Sequence, residues 1–155
     1  MKKNTVELTG PSLDYAVAMA KSMKVFCKDY GENQKEIFAF LPVDGIAVEE
    51  IPANLIRFRP VSGSQGDDII DEEGIATRRH SNGKWYAMMS SDLGDSQSPS
   101  WSETTYRGAV RFGPSAHQFH PRTQRATGST RREAALRCFV LTKLGAQVDV
   151  PKELQ

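Results

Sequence analysis

The sequence predicts an α+β domain, a small antiparallel sheet packed against an N-terminal and a C-terminal helix. Three observations carry this prediction. Residues 126–144 read ATGSTRREAALRCFVLTKL, with the start, apolar face and stop of a helix. A second helical period runs from Leu13 through Ala16, Val17 and Ala20. Between these two stretches lie short runs rich in β-branched and aromatic residues, separated by turn residues.

The first helix opens at Leu8-Thr9-Gly10-Pro11-Ser12-Leu13, where Thr9 stands at the cap position, Pro11 suits the first turn and Leu8 can staple against Leu13. Its small alanines allow close approach of another helix, so packing against the last helix is expected. Val25–Cys27, Glu36–Leu41 and Leu55–Phe58 then read as strands. The residues Tyr30-Gly31-Glu32-Asn33 predict a hairpin turn between the first two, while Asp44-Gly45 offers another. Ile51-Pro52-Ala53-Asn54 fits no regular element. Ser62-Gly63-Ser64-Gln65-Gly66 is a flexible connection into one or two helical turns over Asp67–Glu73, anchored by Ile69 and Ile70. After the turn Ser81-Asn82-Gly83, Lys84–Met89 reads as a central or well-covered strand in which Trp85 belongs to the core and Tyr86 to the opposite side.

Residues 90–102 are rich in Ser, Gly, Asp and Pro, a composition predicting a loop. From Thr104 through Arg132 there is no acidic residue, so a loop and basic arm at 90–129 leads into the last helix. That helix is fixed by Thr130 and Glu133 at capping-box spacing and is stopped by Gly145. Arg137, one turn after Glu133, reads as its ion-pair partner. Gln147–Val150 suggests an edge strand ended by Pro151.

A length of 155 residues predicts one domain, 1–155. A net charge of +1, with 39% apolar and 25% charged residues, gives no whole-molecule attraction to nucleic acid or membrane, so any electrostatic preference is local. Cys27 and Cys138 lie far apart, and Cys138 falls on the apolar face of the last helix, the pattern of a reduced pair in the cytoplasm. No apolar run reaches membrane length.

The candidate site follows from a local conflict. Arg131 and Arg132 occupy the first turn of the last helix, where the helix dipole disfavours cations, so a negative group is expected there. The ligand-binding set is Arg107, Arg111, Arg122, Arg125, Arg131 and Arg132, with Gly128, Ser129 and Thr130 as backbone donors. Tyr106, with Phe112 and Phe119, could stack on a base, which would separate a nucleotide or single-strand binder from a plain phosphate site. The competing reading is a solvated loop. Asp67, Asp68, Asp71, Glu72 and Glu73 have helical spacing without a cation-binding motif, and read as a solvated face or as a dock for the basic arm. His117 and His120 lack further ligands nearby, so no metal and no cofactor is assigned. No Walker loop, nucleophile elbow, zinc-protease motif or dinucleotide fingerprint occurs, so no catalytic residues are assigned and a non-enzymatic protein is expected.

Three stretches together resemble the phage NinX-like family, small bacteriophage proteins of unknown function. They are Glu7–Gly10 with Leu13–Ala18, Gln65-Gly66 with Ile69–Ile75, and a closing set of Gly128, Thr130, Ala134–Val140, Lys143–Gly145 and Val148–Leu154. The sequence departs from the family pattern at Ser129-Thr130-Arg131, where a proline-flanked threonine would stand, and lacks the tryptophan before Gln65-Gly66. The resemblance implies a phage or prophage origin and leaves function unassigned. With the basic arm, it leads to an expected accessory protein that binds a small phosphate-bearing, nucleotide-like ligand, a concrete form being anti-defence sequestration of a host immune signalling nucleotide. A nucleic-acid accessory protein and an inhibitor of a host protein are the alternatives. No membrane partner is expected, and self-association into a homo-oligomer is left open.

Overall fold

The computed structural model describes residues 1–31, 34–41, 54–90, 101–106, 109–114 and 123–154. Asp44-Gly45, residues 51–53, Arg107, His117, His120 and Arg122 lie outside the described residues, as does most of 90–102. The α+β class holds. The strands divide among small antiparallel sheets instead of forming one.

The two ends of the chain are tied together. Strand β1 (Lys2–Asn4) pairs with β10 (Gln147–Asp149), and the buried Thr5 that follows donates its hydroxyl to the Gly145 carbonyl at 2.6 Å. The N-terminal amine meets Asp149 at 2.7 Å, and this contact holds that carboxyl below its ordinary value. Helix α1 (Gly10–Ala20) begins with Thr9 at the cap, but the Thr9 side chain accepts no capping bond; Ser12 instead donates its hydroxyl to the Thr9 carbonyl at 2.7 Å. Gly10 takes φ +48°, a left-handed value that suits glycine at the turn into the helix.

Strands β2 (Val25–Asp29), β3 (Lys35–Phe40) and β4 (Leu55–Arg57) form one sheet in that order. The expected β2–β3 hairpin is present. Asp29 accepts from the Gly31 N–H at 2.8 Å, and Gly31 adopts φ +77°. Helix α2 (Gln65–Glu72) follows a turn over 58–64, after which β5 (Ala76–Arg79), β6 (Trp85–Ser90) and β9 (Thr123–Gly128) form a second sheet with β6 in the middle. Ala87 and Met89 enter the main core and Trp85 packs against it. Tyr86, on the alternate face, meets the His80 ring at a centroid distance of 5.6 Å.

The stretch expected to be a loop and arm contains β-structure. Strand β7 (Trp101–Tyr106) pairs with β8 (Ala109–Pro114), and β9 lies in the central sheet. The physical reason is that Trp101–Tyr106 is rich in Thr and aromatic residues that suit a pleat, while the polar Thr123–Gly128 becomes a strand through its partner β6.

Helix α3 (Arg131–Leu144) lies across β5, β6 and β9 and also packs on α1, as expected from the small residues of both helices. Ala134, Ala135, Leu136, Cys138, Phe139 and Val140 are all buried. That run is wider than the single face of an ordinary amphipathic helix because sheet and helices enclose α3 from several sides. Burial pushes the Cys138 thiol up to about 12, so it behaves as a small apolar residue, and Cys27 is a free exposed thiol.

Candidate functional site: the start of the last helix

The turn into α3 is built as a closed set of hydrogen bonds. Thr130 accepts from the Glu133 N–H at 3.1 Å, half of the expected capping box. The returning carboxylate is displaced by one residue: Glu133 accepts from the Ser129 N–H at 2.7 Å and from the Ser129 hydroxyl. Burial would raise the Glu133 carboxyl, but the Ser129 donors and Arg137 outweigh it and hold it below its ordinary value. Arg137 binds Glu133 at 2.7 Å, as expected, and also donates to the carbonyls of Leu8 and Thr127 at 2.9 and 2.8 Å. It therefore joins α3, β9 and the entry to α1.

Gly128 is needed for close approach. A Cβ there would stand 2.5 Å from the Ala134 nitrogen. Its role is to let β9 run against the first turn of α3.

The negative group expected beside Arg131 and Arg132 is Asp67, in the first turn of α2. Arg132 donates to its Oδ2 through Nη2 at 2.6 Å and Nε at 3.2 Å, and Arg131 Nη1 stands 3.6 Å from its Oδ1. The bond to Arg132 chiefly holds the Asp67 carboxyl below its ordinary value. Arg131 Nε also donates to the Thr77 hydroxyl at 3.1 Å. Thr130, Arg131, Arg132, Asp67 and Val61 line an open depression of about 320 Å³.

Of the sequence-predicted set, the structure brings together Thr130, Arg131 and Arg132. Gly128 is buried in helix–strand packing, and the donors of Ser129 are given to Glu133. Arg125 is exposed on β9, opposite Met88 in the ladder, and does not line this depression. Tyr106 and Arg111 are backbone members of β7 and β8. Of the other acids of this cluster, Glu72 at the end of α2 meets Lys21 at 3.0 Å, and Glu73, the residue after it, meets Lys143 at 3.5 Å. Among the described residues, no group of three or more His, Cys, Asp or Glu could hold a metal, and no helix is long and apolar enough to cross a membrane.

Sequence reasoning missed a second feature. Asp14 of α1 is only 6% exposed and accepts from the Val61 N–H at 2.9 Å. Burial pushes its carboxyl up to about 7, against the lowering effects of that bond and of Arg59. It lines a cavity of about 470 Å³ between the first turn of α1 and the β3–β4 edge, with Glu36, Ile37, Arg57, Phe58 and Arg59. The available signal was a charged residue one position from Leu13 and three from Val17, inside the apolar period of a helix.

No curated protein matches the chain. The family model described as "Bacteriophage P22, NinX" matches residues 4–112, which takes in the first two stretches of resemblance and ends before α3. With that match running from β1 into β8, over more than half of its length, the chain belongs to this phage NinX family.

Proposed function

We propose that this NinX-family chain is a non-enzymatic phage accessory protein that binds a small phosphate-bearing, nucleotide-like ligand at the start of α3. The observation that supports the reading is an excess of positive charge at an open depression: two guanidinium groups, Arg131 and Arg132, face the single carboxylate of Asp67. Glu133 adds nothing to the balance there, because its carboxylate is held by Ser129 and Arg137. A helix start adds favourable backbone dipoles for an anion, and arginine forks match phosphate oxygens. Asp67 then acts as an internal stand-in that a phosphate displaces or joins. In a phage protein, the biological form of this activity is sequestration of a host immune signalling nucleotide in the host cytoplasm.

The experiment is calorimetry with nucleoside monophosphates and inorganic phosphate on the wild type, Asp67→Asn and the double variant R131Q/R132Q. Removing the internal competitor in Asp67→Asn tightens phosphate binding, while R131Q/R132Q weakens it by about tenfold or more, the value of charged hydrogen bonds. Absence of binding in both the wild type and Asp67→Asn refutes the reading. An affinity that keeps growing with oligonucleotide length favours the nucleic-acid alternative over a small ligand.

A further inference from the structure

The cavity between α1 and the β3–β4 edge has the composition of a recognition pocket and no role in the α3 site, since of its lining residues only Val61 also borders the arginine depression. Its volume of about 470 Å³ lies in the range that holds small organic ligands. Ile37 and Phe58 give it apolar wall, and Glu36 and Arg57 pair with each other at its rim. Three charged groups of the lining, Lys35, Arg59 and Asp14, remain without such a close pair, although Arg59 lies near enough to attract the Asp14 carboxylate. Arg59 is exposed at the cavity, and among the described residues its guanidinium has no hydrogen-bond or ion-pair partner. Asp14 is buried with one bond, from Val61 to Oδ1, and Oδ2 has no partner among the described residues.

A carboxylate can accept on both oxygens at about four lone-pair positions, so one backbone N–H leaves most of its capacity unused. Leaving that capacity buried is unfavourable unless something donates to it. A ring edge with adjacent N–H donors fits this requirement, and an anionic group on the same molecule fits Arg59. We infer that this cavity is a ligand site for a small molecule of guanine-nucleotide type, with the donor edge of its ring on Asp14 and its phosphate toward Arg59. An adenine edge is disfavoured, because its ring nitrogen acceptor faces the carboxylate where guanine presents a donor. The Asp14 carboxyl is raised by burial that the one Val61 bond and Arg59 do not offset, which agrees with a group that gains further donors on binding.

The test is binding of guanosine monophosphate and adenosine monophosphate, measured by calorimetry at about pH 8, where Asp14 is mainly ionised, on the full chain and on Asp14→Asn, Arg59→Gln and R131Q/R132Q. Asn retains an oxygen for the Val61 N–H and presents an amide where guanine needs an acceptor. The expected result is guanosine monophosphate binding at least about tenfold tighter than adenosine monophosphate. Asp14→Asn removes that preference, Arg59→Gln weakens the nucleotide, and R131Q/R132Q leaves the preference intact. Equal affinity for the two nucleotides, no binding of either, or a guanine preference that survives Asp14→Asn overturns the inference. Binding lost in R131Q/R132Q and unchanged in Asp14→Asn places the ligand at α3, which overturns this inference while leaving the α3 reading standing.

Discussion

Replacing Asp14 with Asn should flatten the pH dependence of stability above the ordinary carboxylate range. The carboxyl titrates near 3.8 when exposed and is pushed up to about 7 in the fold. Below 3.8 the group is neutral in both the folded and unfolded chain, so it costs nothing. Between those values the unfolded chain loses its proton and the folded chain keeps it, so stability falls as pH rises. Above about 7 both forms are ionised, and the full cost of the buried charge is present. At about 1.4 kcal/mol per pH unit, the gap sets a ceiling of about 4 kcal/mol. Water entering the open cavity and the attraction of Arg59 act against that ceiling. Asn removes the titration while keeping an acceptor for the Val61 N–H, now met at 2.9 Å. Urea unfolding of both proteins across about pH 4 to pH 8 is the assay. The wild type should lose stability across this range, the variant should not, and the variant should be the more stable of the two at the upper end. Parallel profiles, or a variant less stable at about pH 8, would show that the ionised carboxylate is well solvated or paired, and the burial argument would be wrong. The carboxyls held low, Asp67, Glu133 and Asp149, change stability in the opposite sense and at lower pH, so they do not mask the effect.

Two further substitutions test how the site is held. Gly66→Ala places a Cβ 2.1 Å from the Pro60 carbonyl oxygen and 3.2 Å from Arg132 Cδ, so the turn before α2 must shift; thermal melting should report a loss of about 1–3 kcal/mol, and an unchanged midpoint would mean that this turn is free to move. Arg137→Met removes the cation from a pair whose side chains are each 11% exposed and strips donors from the Leu8 and Thr127 carbonyls, so a loss of about 3 kcal/mol is expected by chemical denaturation, against less than about 1 kcal/mol for Arg131→Gln at the more exposed pair. Similar losses in the two variants would remove the distinction between a structural and an available arginine.

The helices and the inner strands were legible because their signals are local. Thr130 and Glu133 mark one helix start, Pro11 sits in the first turn of the other, and the apolar run Trp85-Tyr86-Ala87-Met88-Met89 reads as a well-covered strand, of which Ala87, Met88 and Met89 are all buried. Strands β1 and β5 escaped because Lys2–Asn4 and Ala76–Arg79 are short and polar, and they become strands only through partners supplied by β10 and β6. The role of Gln65-Gly66 was visible as a family motif but not as geometry. The Gln65 amide accepts from the Arg59 N–H at 2.9 Å and donates to the Arg57 carbonyl at 3.1 Å, standing in for a neighbouring strand at the end of β4, while Gly66 admits the Pro60 carbonyl. Such contacts link turns to a helix through tertiary packing, and no period in the sequence encodes them. The Asp14 cavity was hidden for the same reason, since its polar partner, Val61, is 47 residues away.

The conflict at the start of α3 shows how a local anomaly can point correctly to a charge without telling where that charge comes from. Asp67 lies in the first turn of α2, where an acid favours its own helix, and it also touches the first two residues of α3. At the other end of both helices, Glu73 meets Lys143. Asp67 and Glu73 therefore pair with α3 in the order of the chain, and the two helices run in the same direction. Parallel helices bring positive ends together at the starts, and one carboxylate between them counters both. Each of these exposed pairs contributes only about 0–1 kcal/mol, so their main effect is on register: sliding α2 along α3 would break the pairs at both ends together. The same geometry defines what a competing anion must offer. A second monoanion would find Asp67 already in place, whereas a phosphate carries a charge near −2 and three acceptor oxygens that the two arginines can share. In the binding proposed above, Arg131 and Arg132 would discriminate by charge and oxygen count, while Arg137 stays committed to Glu133 and to the carbonyls of Leu8 and Thr127.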